Sequence, residues 1–277
     1  ELSDLDDFSK QLSRHGDIYI NEAFGTSHRK HASNTSILKF FKIKGIGFLL
    51  DSELKHLSNL NLNSDENLSI VLGGAKVSSK LGVIKYFLDK VNSIIIGGAM
   101  SYTFLRSKGI ETGKSLLEES MLDEAAFILK KAKEYNTKIL LPSDVVCSKS
   151  PNSASSVSIK NIKDINADEM GVDIGPETIR FFSQEISRNH YIVWNGPMGI
   201  FEVPSFSKGT IEIAKNIAKH TIDKSATSII GGGDTASAII NLNMQSEFTH
   251  VSTGGGASLE LLSGNKLELI KSWENYE

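Results

Sequence analysis

The chain repeats one pattern that restricts its fold: a short apolar run of β-forming residues ends at a glycine or polar turn, and a helical pattern usually follows. The apolar runs are "DIYIN" (17–21), "LSIVLGG" (68–74), "SIIIGG" (93–98), "KILLPSD" (138–144), "YIVWNGP" (191–197), "TSIIGGG" (227–233) and "THVSTGGG" (249–256). Their apolar character is continuous rather than alternating, which is typical of parallel strands covered on both faces. The pattern therefore predicts an α/β fold with a doubly wound, Rossmann-like parallel sheet.

Two segments interrupt this alternation. Residues 47–60 form a long helical pattern that leads into the polar stretch 61–67, which we interpret as a connector into a new domain. Residues 147–178 are polar and rich in Ser, Asn and Asp, and they predict an irregular excursion or short strands on the surface.

Composition excludes several classes of function. A net charge of −3 argues against binding to nucleic acids or membrane surfaces, which usually requires a basic excess. No apolar run approaches the roughly 20 residues that span a bilayer. The single cysteine, Cys147, excludes an internal disulfide framework, suits a reducing cytosol and is most simply a packed residue.

Glycine runs close several of the predicted strands, at the sheet edge where open α/β sheets bind their ligands. These runs are "LGGAK" (72–76), "IIGGAM" (95–100), "IIGGGDT" (229–235) and "VSTGGGAS" (251–258). None matches the dinucleotide fingerprint G-x-G-x-x-G, and "GIETGKS" (109–115) is one residue too short between its glycines for a P-loop. Each run alone could be a tight turn, but their recurrence favours a nucleotide or polyphosphate ligand.

Charged residues beside these glycines limit the classes of ligand that the site could bind. Asp234 could cap the following helix, or it could hold a magnesium ion that bridges the carboxylate and phosphate oxygens. ATP chemistry usually requires such a metal, whereas NAD does not. Lys76 and Lys80 are predicted one helical turn apart on one helix face, where they could neutralise phosphates or form an ordinary solvated helix start.

The segment "VWNGPMGIFE" (193–202) offers a second group of candidate contacts. Its Asn-Gly-Pro could be only a turn. Alternatively, Asn195 and Glu202 could bond ribose hydroxyls, while Met198 and Phe201 pack against the sugar or base.

Taken together, these motifs resemble the phosphoglycerate kinase family over nearly the whole chain. The matching segments are "DIYINEAFGTSHRKHAS", "LGGAKVSSK", "IIGGAMSYTFL", "LPSD", "DIGPET", "VWNGPMGIFE", "IIGGGDTA" and "HVSTGGGASLELL". The resemblance implies a two-lobed, hinge-bending, cytoplasmic monomer of glycolysis. It implies reversible phosphoryl transfer between 1,3-bisphosphoglycerate and MgADP, giving 3-phosphoglycerate and MgATP, with Mg²⁺ as the cofactor.

The resemblance also implies roles for individual residues. Lys76 would steady the transferring phosphoryl group, together with backbone donors of Gly254, Gly255 and Gly256. Arg29 would bind the 3-phosphoglycerate end, and Asp234 would lie at the magnesium. The remaining nucleotide contacts would be Gly74, Lys80, Gly98, Gly171, Asn195, Gly196, Met198, Glu202, Gly232, Gly233 and Thr235. His28 and His31 are expected to be structural.

The same resemblance divides the chain into lobes. Residues 1–46 would be the last portion of the N-terminal, 3-phosphoglycerate-binding α/β lobe, and residues 47–61 the interdomain helix. Residues 62–249 would form the nucleotide-binding lobe, and residues 250–277 would return toward the N-terminal lobe. The family's first βα units have no counterpart here, so we expect an incomplete, inactive portion that binds MgADP weakly and shows no transfer activity when purified alone.

Two other hypotheses fit parts of the sequence. A nicotinamide-dependent dehydrogenase would share the doubly wound sheet, but it is disfavoured by the missing G-x-G-x-x-G fingerprint and by Lys76, Lys80 and Asp234. A non-enzymatic relative would predict damaged catalytic positions, and Lys76, Asp234 and the glycines at 254–256 are intact.

Overall fold

The computed structural model describes residues 5–58, 67–152 and 157–276. The chain divides into two compact units. The terminal unit comprises Glu1–Asn61 with Ser252–Glu277, and the central unit comprises Leu62–Val251. Within the described ranges, no helix combines the length and apolar character needed to cross a membrane.

Strands and helices alternate along most of the chain. The strands are β1 Ile18–Asn21, β2 Ile43–Ile46, β3 Leu68–Leu72, β4 Ser93–Ile96, β5 Lys138–Leu140, β6 Asp144–Ser148, β7 Ser158–Asn161, β8 Met170–Ile174, β9 Tyr191–Asn195, β10 Thr227–Gly231 and β11 His250–Val251. The helices are α1 Leu5–Leu12, α2 Phe48–Ser58, α3 Leu81–Phe87, α4 Met100–Ser107, α5 Leu122–Glu134, α6 Pro176–Ile186, α7 Lys208–Ile222, α8 Gly233–Asn241, α9 Gly256–Leu262 and α10 Glu268–Glu274. Short 3-10 turns occupy Ser13–His15, Phe24–Thr26, Ser36–Phe40, Ser78–Lys80, Glu119–Met121, Pro204–Phe206 and Gln245–Glu247.

The central unit is built on a six-stranded sheet in the order β11-β10-β9-β3-β4-β5. Every pair in this sheet is parallel. From β3 the chain moves outward to β4 and β5, and from β9 it moves outward in the opposite direction to β10 and β11. The order therefore reverses between β3 and β9, which confirms the predicted doubly wound α/β fold.

The strands of this sheet are apolar throughout because both of their faces are covered. Ile70, Val71 and Leu72 are consecutive in β3 and all fully buried, although successive strand residues point to opposite faces. On one face, Val71 and Trp194 belong to a core shared with α6, α7 and α8. Continuous burial explains why these strands lack the alternating pattern of a half-exposed sheet.

Residues 147–178, predicted to be irregular or to form short strands on the surface, contain more order than expected. β6 pairs antiparallel with β7 and β8 in a three-stranded sheet, and α6 begins at Pro176. Short strands are thus confirmed, but the surface location is wrong for the end of β8, whose last residues are buried. Cys147 is packed as predicted, and burial raises the pKa of its thiol to about 11.

Two buried carboxylates on this antiparallel sheet cap helices that follow much later in the chain. Asp144 accepts hydrogen bonds from the backbone N–H of Glu177 (3.0 Å) and of Thr178 (2.7 Å) at the start of α6. Asp173 accepts one from the backbone N–H of Gly209 (2.6 Å) at the start of α7. The first N–H groups of a helix have no partner within the helix, so these carboxylates fix where α6 and α7 begin.

The terminal unit contains a second, smaller parallel sheet, in which β1 pairs with β2. Phe24, Leu50 and Leu262 are buried in its interior. The backbone N–H of Leu269 in α10 donates to the carbonyl of Ser27 at 3.0 Å. The long helix predicted over 47–61 is present as α2, and its last predicted residues lie outside the described ranges, as does nearly all of the predicted connector.

Candidate functional site

Backbone hydrogen bonds connect the segments that follow β3 and β4 to the end of β9 and the residues after it, at the point where the strand order reverses. Gly73 N–H donates to the carbonyl of Asn195 at 2.9 Å, and Gly74 N–H donates to Pro197 at 2.8 Å. Gly98 N–H, just after β4, donates to the carbonyl of Met198 at 3.1 Å. Ligands of open α/β sheets bind at such switch points, so this edge is the candidate site.

A pocket of about 430 Å³ opens at this edge, within the central unit. Its walls include glycine residues and apolar side chains, a composition that suits a flat organic ring. The predicted contacts that line it are Gly74, Gly98, Gly171, Met198, Phe201, Glu202 and Asp234. These residues come from five separate segments of the sequence, and the fold brings them to one cavity.

Three predicted contacts, all of them buried, do not line the pocket. They are Asn195, Gly196 and Thr235. The backbone N–H of Gly196 donates to the Thr235 hydroxyl at 2.6 Å, which ties the end of β9 to the first turn of α8. Gly232 and Gly233 form the preceding turn, and a β-carbon at Gly232 would come within 3.1 Å of the Asn195 amide.

Lys80 is a half-buried cation at this site. Its ammonium donates a hydrogen bond to the Oδ1 atom of Asn195. Burial lowers the pKa of Lys80, and the nearby negative charge of Asp234 opposes that shift. The charges of Lys80 and Asp234 are thus close enough to interact, although only Asp234 lines the pocket.

Asn195 has an unused donor. Its side chain is fully buried, and its Nδ2 atom has no hydrogen-bond partner among the described residues. Because Lys80 can only donate, the amide oxygen must face Lys80 and the amide nitrogen must face away from it. An unpaired buried N–H group costs free energy, so this donor fits a site that an acceptor such as a phosphate or ribose oxygen completes.

The predicted arrangement of Lys76 and Lys80 on one helix face is wrong. Lys76 lies in the loop before the 3-10 turn Ser78–Lys80, and α3 begins only at Leu81. Ser79 Oγ donates to the carbonyl of Lys76 at 2.8 Å, so a tight turn replaces the predicted helical turn. Lys76 is exposed, and Lys80 is partly buried.

Asp234 does not cap α8, which was the alternative to a metal-binding role. The N-cap position is Gly232, and Asp234 lies within the first turn with no side-chain capping hydrogen bond. Its carboxylate is exposed at the rim of the pocket. In the described part of the chain, no group of three or more His, Cys, Asp or Glu side chains could hold a metal alone. A magnesium ion would therefore need oxygen ligands from phosphates and water as well.

Several residues that line the pocket were not predicted from the sequence. They are Ala75, Ala99, Tyr102, Lys114, Leu116, Pro151, Met170, Val172, Asp173, Ile174, Pro197, Gly199 and Ile200. Tyr102 packs so closely on Gly171 that a β-carbon there would overlap its ring, and burial raises the pKa of the Tyr102 hydroxyl. Apolar wall residues carry no motif, but Asp173 belongs to the segment "DIGPET" and its position at a strand end was an available signal.

Asp173 caps the start of α7 and also has a carboxyl group with a raised pKa. Burial raises the pKa of its carboxyl to about 7, against the hydrogen bonds from Gly209 and Ile174 that lower it. The unfolded chain releases this proton near the ordinary aspartate pKa of about 4, whereas the folded chain holds it up to about pH 7. The contribution of Asp173 to stability is therefore present at low pH and is lost as the pH rises across that window.

When the pH rises from 5 to 7, we expect the free energy of unfolding to decrease more for the wild type than for Asp173→Asn. The difference between the two decreases should be at most about 3 kcal/mol. Urea denaturation at several pH values measures this difference. Asp123→Asn, which removes an exposed carboxylate on α5, is the control and should follow the wild-type profile. Parallel pH profiles for the wild type and Asp173→Asn would contradict the assignment.

The other predicted site residues belong to the terminal unit. Arg29 is exposed, and its Nε atom donates to Nε2 of His28 at 3.3 Å. A β-carbon at Gly256 would lie 2.8 Å from the same His28 nitrogen. Gly254 packs on Phe24, and its N–H donates to Ser252 Oγ at 3.2 Å. The structure thus brings Arg29 and Gly256 to the same ring nitrogen of His28.

Comparison with known proteins gives a consistent family. The family model described as phosphoglycerate kinase matches residues 1–265. A phosphoglycerate kinase of Finegoldia magna is 50% identical over 260 residues, which cover 94% of this chain and 65% of that protein. One of Thermosipho africanus is 48% identical over 270 residues, covering 97% of this chain and 67% of that protein.

Solved structures agree with the sequence relatives. The structure of phosphoglycerate kinase from Coxiella burnetii matches with a TM-score of 0.87 and 37% identity, over 98% of this chain and 68% of that one. The enzyme from Pyrococcus horikoshii matches with a TM-score of 0.83 and 29% identity, over 96% and 65%. The chain thus spans about 65% of the length of the Finegoldia protein.

Proposed function

The chain belongs to the phosphoglycerate kinase family, and from this premise we propose that it binds a magnesium-complexed adenine nucleotide in the pocket of the central unit. The reaction that this site serves is transfer of a phosphoryl group between 1,3-bisphosphoglycerate and MgADP, giving 3-phosphoglycerate and MgATP. The protein acts in the cytoplasm as a monomer and closes its lobes by hinge bending.

One observation carries the nucleotide proposal: a mostly apolar cavity lies next to charged side chains and a buried amide nitrogen that has no hydrogen-bond partner among the described residues. The apolar walls suit the base, while Lys80, Asp234 and the unpaired Asn195 amide nitrogen suit the charged phosphates and their metal. A site for an uncharged ligand would have no use for a half-buried cation next to a free buried donor.

The nucleotide contacts follow from this division. Gly74, Gly98, Gly171 and Met198 would hold the base and sugar, and Glu202 would bond the ribose from the rim. Gly232, Gly233 and Thr235 would place the backbone donors of the first turn of α8 near the phosphates, where a helix N-terminus favours negative charge.

Magnesium fits the acidic residue at this rim. Asp234 is exposed and makes no capping bond, so its carboxylate is available as a metal ligand. When bound, the ion would neutralise phosphate charge and orient the phosphate oxygens. Lys80 supports the same arrangement, because the negative charge of Asp234 favours the positive charge of its ammonium.

Transfer would need no nucleophilic side chain from the protein. Lys76 would stabilise the negative charge of the phosphoryl group during its transfer, aided by the backbone N–H groups of Gly254, Gly255 and Gly256. Arg29 would bind the 3-phosphoglycerate end. Positioning, electrostatic stabilisation and exclusion of water would then account for the rate.

Calorimetric titration of the 277-residue chain tests the nucleotide proposal. We expect ADP to bind in the presence of magnesium, to bind more weakly with EDTA, and NAD not to compete. A preference for NAD that is independent of magnesium would instead support a dehydrogenase and overturn the proposal. ATP formation from 1,3-bisphosphoglycerate and MgADP is the direct measure of the transfer reaction.

A further inference from the structure

The connection between α4 and α5, residues 108–121, contacts two parts of the candidate site; we call it the α4–α5 loop. Lys114 and Leu116 of this loop line the pocket. The loop is firmly anchored at this end, because Lys114 N–H donates to the carbonyl of Glu169 at 2.7 Å and Gly171 N–H donates to Ser115 Oγ at 2.9 Å.

The same loop also holds the turn that carries the two site lysines. Glu118 Oε1 accepts a hydrogen bond from the Ser78 hydroxyl (2.6 Å), and its Oε2 accepts one from the Ser78 backbone N–H (3.0 Å). Ser78 lies midway between Lys76 and Lys80 in the sequence. The Glu118 backbone is fixed in turn, because its N–H donates to Thr103 Oγ1 of α4 at 3.0 Å.

Glu118 is suited to this contact by charge as well as by shape. Its partial burial acts to raise its pKa, but the hydrogen bonds from Ser78 and Val77 and the positive charge of Lys76 outweigh that effect. The pKa of Glu118 is therefore below its usual range, and the side chain is an anion at neutral pH. An ionised carboxylate has two acceptor oxygens, one for each of the two Ser78 donors.

We propose that Glu118 is a positioning residue for nucleotide phosphates: it clamps Ser78 and so fixes the turn from which Lys76 and Lys80 reach the ligand. The clamp also links this turn to Lys114 and Leu116 at the pocket wall. The inference rests on the proposed function, because it assigns the lysines to phosphate binding. It adds a residue that touches neither the ligand nor the pocket.

The test is the affinity of Glu118→Gln for MgADP and for adenosine, measured by calorimetry. Glutamine keeps the size of the side chain but has one acceptor oxygen, so one of the two bonds to Ser78 is lost. We expect MgADP to bind about tenfold more weakly, because a charge-assisted hydrogen bond to the lysine turn is lost. Adenosine lacks the phosphates and should bind as it does to the wild type.

Two further variants make the result specific. Glu119→Gln makes the same change of charge at the neighbouring exposed residue and should bind MgADP like the wild type. Ser78→Ala removes only the hydroxyl partner of Glu118, and in the double variant with Glu118→Gln the two losses should be less than additive. Ser78→Ala alone tests the clamp if Glu118→Gln does not fold.

The outcomes separate the clamp from the nucleotide proposal. Equal losses for MgADP and adenosine, or an unchanged MgADP affinity in Glu118→Gln, would overturn the positioning role. Strict additivity of the Ser78 and Glu118 effects would overturn it as well. Failure of the wild type to bind MgADP would instead count against the proposed function itself.

Discussion

Gly196→Ala is expected to lower the free energy of unfolding of the central unit by about 3–5 kcal/mol and to abolish binding of MgADP. Gly196 has a φ of 101°, a backbone conformation that residues with a β-carbon rarely adopt. A β-carbon at this position would also overlap the carbonyl group of Gly73. Two costs therefore act together at the junction of β3 and β9.

The backbone at this junction has little freedom to relieve the overlap. Gly73 and Gly74 donate to the carbonyls of Asn195 and Pro197, which flank Gly196. Moving either strand end breaks these bonds and displaces the pocket wall. Urea denaturation followed by the fluorescence of buried Trp194, in a Trp273→Phe background, reports the stability of the central unit.

Gly74→Ala is the matched control. Gly74 also has a positive φ, of 87°, but no atom lies within 4 Å of a β-carbon placed there. The free energy of unfolding of this variant should fall by only about 1–2 kcal/mol, the cost of placing a residue with a β-carbon in the left-handed backbone conformation. Equal destabilisation by the two substitutions would show that overlap with Gly73 is unimportant, contrary to our account.

Lys80→Met is expected to weaken MgADP binding roughly 100-fold while leaving the fold intact. The ammonium of Lys80 is the half-buried cation at the site, and without it the Asp234 carboxylate and the phosphates lose their neutralising partner. Methionine retains the length and apolar stem of lysine, so packing around the stem is kept. The buried Asn195 oxygen loses its donor, which costs about 1–3 kcal/mol of stability, and removal of a charge that burial disfavours offsets part of this cost.

Lys85→Met provides the control for the loss of a lysine on the same segment. Lys85 lies in α3, is exposed and pairs with Glu124 at 2.9 Å. Titration calorimetry of both variants should show a large loss of affinity for Lys80→Met and almost none for Lys85→Met. Comparable affinities in the two variants would mean that Lys80 does not contact the phosphates.

Much of the fold could be predicted from the sequence because its signals are local. Each strand of the central sheet is a continuous apolar run that ends at a glycine or polar turn, and parallel strands place those turns on one edge. This logic is sufficient to bring Gly74, Gly98 and Asp234 together at one pocket. The strand order that creates the switch point between β3 and β9 was not predicted, because alternating strands and helices are compatible with several orders.

What could not be predicted depends on contacts between distant residues. α6 and α7 are capped by Asp144 and Asp173 from other strands, so a search for a capping residue next to each helix does not find them. The turn at Lys76 similarly departs from helical spacing because Glu118, 40 positions after Ser78, holds it. Pocket walls such as Leu116 have no motif, since any apolar side chain of suitable size could serve.

The most direct test of the central claim is a crystal structure of the chain grown with MgADP. We predict that the base lies between the glycine turns at 73–74 and 97–98 and Met198. The phosphates should accept hydrogen bonds from Lys80 and from the Asn195 amide nitrogen, and the magnesium should be coordinated by Asp234. A nucleotide bound elsewhere, or bound in the pocket with its phosphates pointing away from Lys80 and Asp234, would contradict the account.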